Sequence, residues 1–391
     1  MATPPVRTVT IGIAEPHPLP PEAVARAAAL AAKSAAAFTE AGYEVQTTRL
    51  STRPVFQDLA GWSGPELVDY AVGVQRLCDD LGVFAASLGP APAADPAFPV
   101  DRLDVIPDLI AATTSLNCTV QLGTVDHGVR ADAVAPTAAV IRRIADETDG
   151  GLGNFRFAAL ASVGPGGPFF PAGYHDGPDS LTVGLQAAGP VRDALASAPV
   201  LTPEVIIGRT RTAMEQVGGP VVALGARLAA EAGVRFGGID LSLAPMGDDS
   251  IGAAIELCEP GVVGAPGTVS VIAALTEALR TADLPTCGYN GVMLPILEDA
   301  VLARRWADGV FGFPHLLVCA SVCGVGFDAV PLPGDVPAER IAPLLRDVAT
   351  MAVRLRKPLS ARLFPAPGTR AGDRTDFTSP YLLNTVVHDP V

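Results

Sequence analysis

Residues 235–244 read RFGGIDLSLA, and residues 359–364 read LSARLF. Each is a short apolar run with one charge near its middle, Asp240 in the first and Arg362 in the second. Successive side chains of a strand point to opposite faces, so such a charge lies on the face opposite its apolar neighbours. Both stretches are therefore predicted to be strands that are apolar on one face and carry a single charge on the other.

Two further stretches share this pattern. Residues 44–51 (EVQTTRLS) contain Arg49, and residues 154–163 (NFRFAALASV) contain Arg156 between two phenylalanines. Other strands are predicted at residues 7–13, 83–88, 118–122 and 315–323. Helices are predicted at residues 21–41, 64–81, 104–112, 132–147, 203–217, 220–232, 268–282, 291–308 and 338–356.

Strands and helices thus alternate along almost the whole chain. Such alternation predicts an α/β protein with a mainly parallel sheet wrapped by helices. No linker with a shift in composition divides the chain, so a single barrel-like domain is expected over residues 1–391. If the apolar faces of the strands meet the outer helices, the lone charges point into the barrel.

Composition narrows the class of function. The chain has 27 Lys+Arg against 41 Asp+Glu, a net charge of −14, which disfavours nucleic acid as a partner. No apolar run is long enough to span a membrane. The first residues lack the apolar segment of a signal peptide, so a cytoplasmic location with reduced cysteines is expected.

Cofactor chemistry is narrowed in the same way. Lys33 and Lys357 are the only lysines, and Lys33 lies in an Ala-rich helical stretch, so an imine with pyridoxal phosphate is not expected. No glycine fingerprint for a dinucleotide follows a predicted strand, so NAD is not expected either.

The lone charges on the predicted strands suggest an anion site. Arg49, Arg156 and Arg362 are expected to bind a carboxylate or phosphate, because a guanidinium matches either group with two hydrogen bonds. The alternative is that these strands lie at an edge of the sheet, or that the charges form buried structural ion pairs.

The loop after residue 163 reads GPGGPFFPAGYHDG, and loops of this kind often carry function. Phe170 and Tyr174 are candidate substrate contacts, as is Asn290 further along the chain. His175 is a candidate proton shuttle. Cys319 and Cys323 are candidate nucleophiles, and Cys323 is the better one because it lies at the predicted end of a strand. The alternative is that both are buried and inert thiols.

Carboxylates recur in segments that follow predicted strands. Asp240 and Asp328 are expected to act as acid/base groups or as metal ligands. A site for Mg²⁺ or Ca²⁺ is expected from five aspartates: Asp240, Asp248, Asp249, Asp328 and Asp335. The alternative is an acidic rim that caps helices and faces solvent. The neighbouring pair Glu298 and Asp299 falls in a predicted helix and is expected to face water.

Several blocks together resemble one family. They are RTVTIGI, YEVQTTRLST, GNFRFAALASVGPGGPFFPAGYH, GGIDLSLAP, CGYNGVMLPILEDAVLA, VCGVGFDAVPLPGD and KPLSARLFPAPGTRAGDRTDF. They resemble bacterial and archaeal proteins of the domain-of-unknown-function family 711, also called uncharacterised protein family 0210. The resemblance implies a large ten-stranded α/β barrel similar to that of pyruvate formate-lyase and ribonucleotide reductase. The C-terminal residues contain no RVxGY-like segment, so no glycyl radical is expected.

These observations converge on an enzyme that acts on a small anionic metabolite inside the barrel. An amino-acid-derived carboxylate is the expected substrate class, and a lyase, isomerase or hydrolase the expected reaction class. The competing hypothesis is a non-catalytic metabolite-binding or regulatory protein with the same arginines. A homo-oligomer with no nucleic-acid or membrane partner is expected. A carboxylate within hydrogen-bond distance of the arginines would favour the enzyme.

Overall fold

The computed structural model describes residues 3–258 and 261–390. A single sheet of ten strands forms its centre. The strands are β1 (Val6–Gly12), β2 (Thr48–Ser51), β3 (Ala85–Ala91), β4 (Leu116–Thr124), β5 (Gly128–Val129), β6 (Ala159–Ala161), β7 (Ser180–Leu185), β8 (Arg235–Asp240), β9 (Gly326–Pro333) and β10 (Leu359–Ala366).

The sheet is mainly parallel, as predicted, with six parallel and three antiparallel pairings among the described strands. Its strand order is β8-β7-β1-β2-β3-β4-β6-β10-β9, with β5 paired to β4 alone. Strands β1, β2, β3, β4 and β6 run parallel to one another. Two antiparallel pairings, β1 with β7 and β6 with β10, join them to the parallel pairs β7–β8 and β9–β10. The chain direction therefore reverses twice across the sheet.

Residues 286–299 run beside both outer strands of this order. Thr286 and Val292 form parallel bridges with Ile239 and Leu243, while Pro295 forms one with Asp328 in β9. The backbones meet closely here, because a Cβ added to Gly291 would lie 2.4 Å from the Cα of Gly324. This stretch was predicted to begin a helix at residue 291, but the helix begins only at residue 300.

Helices cover the sheet and bury the larger part of the apolar core. They are α1 (Pro21–Glu40), α2 (Val55–Asp58), α3 (Gly64–Asp80), α4 (Val105–Ala112), α5 (Ala131–Glu147), α6 (Ala188–Ala196), α7 (Pro203–Ala232), α8 (Ile251–Cys258), α9 (Thr268–Arg280), α10 (Ala300–Ala307), α11 (Phe313–Val322) and α12 (Ala338–Leu355). Within the ranges described, no helix combines the length and apolar character needed to cross a membrane.

Local chemistry explains where several helices begin. Ser63 and Glu66 form a capping box at the start of α3, with Ser63 N donating to Glu66 Oε2 over 2.7 Å. Asp299 caps α10 by accepting from Val301 N and Leu302 N. Helix α7 continues through Pro220 as one helix, although two helices were predicted there.

One predicted strand is wrong and another is too long. Residues 315–322 belong to helix α11, which starts after Gly312 with a proline in its first turn. An apolar run of this length suits a buried helix as well as a strand, and periodicity alone does not separate the two. The strand lies further on, at β9. Within the strand predicted at residues 154–163, residues 154–156 end a 3-10 helix (Asp149–Arg156), and the strand itself is the shorter β6.

Behind the sheet, a second and smaller apolar cluster lies apart from the main core. It contains Ala158, Leu160, Val163, Phe169, Ala172, Ala244, Tyr289, Met293 and Val325. Seven of these residues line a cavity: Ala158, Phe169, Ala172, Ala244, Tyr289, Met293 and Val325. The fold thus separates a helix-covered apolar face from a face that borders an internal space.

Candidate functional site

The cavity has a volume of about 320 Å³. Its wall has a charged part and an aromatic part. The charged part consists of Arg7, Arg49, Arg156, Glu298, Asp328 and Arg362, and the aromatic part of Phe84, Phe155, Phe169, Phe170, Tyr289 and Tyr381. A concave site with convergent charges and apolar walls is the usual form of a small-molecule pocket.

The charged side chains come from separate parts of the sheet. Arg7 and Arg49 lie on the neighbouring strands β1 and β2, and Asp328 and Arg362 on the neighbouring strands β9 and β10. Glu298 comes from the irregular stretch 286–299. Strands β2 and β10 were both predicted. Arg49 and Arg362 were predicted to lie on one side of the sheet, and both line the cavity.

Arg362 holds two carboxylates together. Its Nε donates to Asp328 Oδ1 over 2.7 Å, and its Nη2 donates to Glu298 Oε1 over 2.7 Å. Burial alone would lower the pKa of Arg362, but the two carboxylates outweigh it and raise that pKa above its usual value. All three side chains are buried, so their attraction is weakly screened by solvent.

The pKa of the Asp328 carboxyl is raised above its usual value. Burial raises its pKa, the negative charge of Glu298 raises it further, and Arg362 opposes both. A raised pKa is a common property of carboxyl groups that serve in acid/base catalysis. Asp328 is therefore the candidate acid/base group.

Arg49 differs from Arg362 in its partners. Its Nε donates to Thr47 Oγ1 over 3.1 Å, and its Nη1 to the carbonyl of Pro168 over 3.4 Å. Among the residues described, no carboxylate lies within ion-pair distance of it. The guanidinium stands 5.2 Å from the ring centroid of Phe170. Burial, together with the neighbouring charges of Arg7 and Arg362, lowers the pKa of Arg49 to about 9.

Arg156 lines the same cavity but uses its guanidinium differently. Nη1 donates to Thr113 Oγ1 and to the carbonyl of Leu116, and Nη2 to the carbonyl of Ile110 over 2.7 Å. The Ile110 and Thr113 groups lie at the C-terminal end of α4, where the helix dipole favours a cation, and Leu116 begins β4. Burial lowers the pKa of Arg156 to about 10. Since residue 156 is not in a strand, its predicted alternation with the flanking phenylalanines does not apply.

Asp240 and Asn290 form a separate buried group. Asp240 accepts hydrogen bonds from the backbone N–H groups of Ser242, Tyr289 and Asn290 at 2.9, 2.9 and 3.2 Å. Burial raises the pKa of Asp240, and these hydrogen bonds oppose the shift. The Asn290 side chain accepts from Leu241 N and donates to the carbonyl of Cys287. Both side chains fasten residues 286–291 to β8, and neither lines the cavity.

His175, Tyr174 and Cys323 also lie off the cavity wall. The His175 ring is buried, and its Nε2 lies 3.1 and 3.0 Å from the carbonyls of Gly177 and Pro178. Burial lowers its pKa below the usual value. The Tyr174 hydroxyl donates to the carbonyl of Val163, and Cys323 is buried at the end of α11. Of the predicted residues, only Arg49, Arg156, Phe170, Asp328 and Arg362 meet at the cavity.

Comparison of the sequence with known proteins identifies the family of this chain. The profile of the family described as Uncharacterised ACR (DUF711) matches residues 2–379. The chain belongs to this family. The resemblance inferred from the sequence blocks is thereby confirmed.

Individual relatives support the assignment to DUF711. A UPF0210 protein of Syntrophobacter fumaroxidans is 29% identical over 86% of this chain and 77% of its own length. Others are the UPF0210 proteins of Methanopyrus kandleri, 34% identical over 69% of this chain and 62% of its own, and of Desulforudis audaxviator, 32% over 70% and 63%. The chain therefore covers less than two thirds of the length of some of these relatives.

The predicted aspartate site for Mg²⁺ or Ca²⁺ is not formed. Asp240 binds backbone, Asp249 accepts from Gln186 Nε2, Asp328 binds Arg362, and Asp248 and Asp335 are exposed. Across residues 3–258 and 261–390, no three His, Cys, Asp or Glu side chains come together in a way that could hold a metal ion. The five aspartates therefore have separate surroundings and do not form one cluster.

Sequence reasoning missed Arg7 and misjudged Glu298. Arg7 Nη2 lies 3.5 Å from Glu298 Oε2, and its Nη1 lies 3.5 Å from Gln46 Oε1. Arg7 sits between Val6 and Thr8 at the start of β1, so the alternation that singled out Arg362 was present there too. Glu298 was expected to face water because LPILEDAVL resembles a helix. Residues 296–298 instead form a turn, in which Glu298 N donates to the carbonyl of Pro295, and Glu298 lines the cavity.

Proposed function

We propose that this protein is an enzyme that binds a small carboxylate in the cavity and acts on it by proton transfer. Arg49 would bind the carboxylate, and Asp328 with Glu298 would move the proton. The observation that carries the proposal is the guanidinium of Arg49, which faces the cavity without an acidic partner among the residues described.

Electrostatics favours an anionic ligand at Arg49. Burying a cation without a counter-charge is unfavourable, and the lowered pKa of Arg49 records that cost. A ligand carboxylate would supply the missing charge and accept two parallel hydrogen bonds from the guanidinium. Such charge-assisted bonds contribute roughly 1.5–3 kcal/mol each.

Acid/base chemistry is favoured by the pair beside this anchor. Asp328 and Glu298 bind the same guanidinium, which fixes their carboxylates at the wall. The raised pKa of Asp328 suits a group that alternates between its two protonation states. Carboxylates this close to the arginines favour an enzyme over a binding protein, and the reaction would be that of a lyase, isomerase or hydrolase.

The proposal includes a closed barrel of the kind that the family resemblance implies. Strands β8 and β9 end the strand order, and residues 286–299 bridge to both. With this stretch as a further parallel strand, β7, β8, residues 292–297, β9 and β10 would match the five parallel strands of the other half. The cavity would then be the interior of the barrel, which would exclude water from the proton transfer.

Solvent exchange tests the proposed chemistry. Small carboxylates with an acidic C–H bond are incubated with the protein in D₂O, and deuterium incorporation is followed by NMR. We expect exchange with the wild type, at least a hundredfold slower exchange with Asp328→Asn, and no change with Asp335→Asn, an exposed control. Arg49-dependent binding without exchange would favour the non-catalytic alternative; exchange that survives Asp328→Asn would remove Asp328 from the mechanism.

A further inference from the structure

We infer that the ligand of this cavity carries a single carboxylate and an apolar, aromatic-sized body. This inference rests on the proposed function, because it takes Arg49 as the carboxylate anchor. It goes further by stating what the rest of the ligand is. Two features of the cavity wall support it: the partners of the charged residues, and the apolar side chains that line much of the rest.

The wall has room for one negative charge. Arg362 is neutralised by Asp328 and Glu298, and Arg7 lies beside Glu298. Arg156 donates to Thr113 and to two backbone carbonyls of the α4–β4 region. In the wall as described, Arg49 is thus the cation with neither a carboxylate nor a helix end as its partner. A second ligand carboxylate would have only Arg156 as its counter-charge, and that guanidinium is already bound by Thr113 and two backbone carbonyls.

Most of the remaining wall is apolar, and Thr114, Ser115, Asn117 and Ser360 are its uncharged polar members apart from the tyrosines. Phe169, Met293 and Val325 belong to the small apolar cluster and border the cavity. Phe155 and Tyr381 stack on each other with centroids 6.1 Å apart, and both border it as well. Aromatic walls of this kind favour a ligand ring by stacking and by burial of apolar surface.

One polar atom in the apolar part gives the ligand a direction. The Tyr289 hydroxyl is buried beside Ser360, whose own hydroxyl donates to the carbonyl of Val325 over 3.1 Å. Within the described chain the Tyr289 hydroxyl completes no hydrogen bond of good geometry. A ligand with one polar atom between its carboxylate and its apolar body would satisfy this hydroxyl.

Phe84 permits a clean test of the apolar part. Its side chain borders the cavity and is 46% exposed, so replacing it by serine does not open the core. Leu257 is also an exposed large apolar residue, at 45%, but it lies on α8 and does not border the cavity. Leu257→Ser is therefore a matched control for Phe84→Ser.

Titration calorimetry with three probes decides the inference. The probes are 3-phenylpropanoate, its neutral amide 3-phenylpropanamide, and the dicarboxylate glutarate. We expect wild-type protein to bind 3-phenylpropanoate at least tenfold more tightly than either of the others. Phe84→Ser should weaken binding of 3-phenylpropanoate at least threefold, Leu257→Ser should leave it unchanged, and Arg49→Gln should weaken it at least tenfold.

The possible failures are distinct. If glutarate binds as tightly as 3-phenylpropanoate and loses affinity in Arg49→Gln, the carboxylate anchor stands and the apolar, monoanionic class is overturned. If the amide binds as tightly as the acid, or no carboxylate binds, the anchor and the proposed function are overturned together. The comparison of probes on the wild-type protein holds even where a variant does not fold.

Discussion

Two groups of buried polar side chains, centred on Asp240 and on Arg362, have similar chemistry and different partners. Asp240 gives its oxygens to three backbone N–H groups of its own chain. Arg362 binds the side chains of Asp328 and Glu298 at the edge of a cavity. A carboxylate that binds backbone holds a chain segment in place, whereas one that shares a guanidinium beside open space can exchange a proton with a ligand.

Among the substitutions that test this comparison, Arg362→Met should have the largest effect on the free energy of unfolding. This change leaves two buried carboxylates facing each other, which should lower the free energy of unfolding by about 3–5 kcal/mol at neutral pH. The deficit should shrink as the pH falls, because protonating either carboxyl removes the repulsion. Urea unfolding at several pH values measures both effects.

Arg305→Met is the matched control for this variant. Arg305 pairs with Glu256 at the partly exposed surface, with Nε donating over 2.8 Å. Its loss should cost less than about 1 kcal/mol at any pH. Equal effects of the two substitutions would contradict the special status of the Arg362 group.

Asp240→Ala should have the next largest effect. The change leaves the backbone N–H groups of Ser242, Tyr289 and Asn290 without their acceptor, and the first two of these hydrogen bonds are buried. It should lower the free energy of unfolding by about 3 kcal/mol. Asp248→Ala, at an exposed position, should change it by less than about 0.5 kcal/mol. A stable Asp240→Ala protein that no longer binds carboxylates would return Asp240 to the candidate site.

Arg156→Lys separates the sequence hypothesis from the structure. The sequence pattern predicts that losing the guanidinium fork weakens ligand binding about tenfold. The contacts at the end of α4 predict the opposite: a loss of about 1–2 kcal/mol of stability with unchanged affinity for 3-phenylpropanoate. Affinity and melting temperature measured on the same variant decide between them.

His175 should give the smallest effect, visible in the pH dependence of stability. Burial lowers its pKa below 6.5, so the unfolded chain takes up the proton first as the pH falls. The stability that neutral His175 contributes is present above about pH 6.5 and is lost at lower pH. His175→Gln should therefore be less stable than wild type at neutral pH, and the difference should narrow in acid. A difference that stays constant with pH would show that His175 keeps one charge state.

The parts of the site that the sequence could reveal are those where period-two alternation holds. It identified Arg49 and Arg362 because both lie in strands, β2 and β10, and both side chains line the cavity. It failed for Arg156 because Gly150 and Gly151 adopt left-handed conformations and lead the chain into a 3-10 turn. It could not separate Asp240 from Asp328, since only the folded backbone decides whether an aspartate meets N–H groups or an arginine.

The aromatic part of the cavity wall extends beyond the residues that the family profile matches. Tyr381, 39% exposed and stacked on Phe155, follows the last residue that the DUF711 profile matches. Arg49, Glu298, Asp328 and Arg362 all lie within the matched range. One member of the aromatic part of the wall thus lies outside the matched range, whereas the charged part lies inside it. Under the proposed function, a substitution at Tyr381 would change the wall against the ligand's apolar body and leave the carboxylate anchor in place.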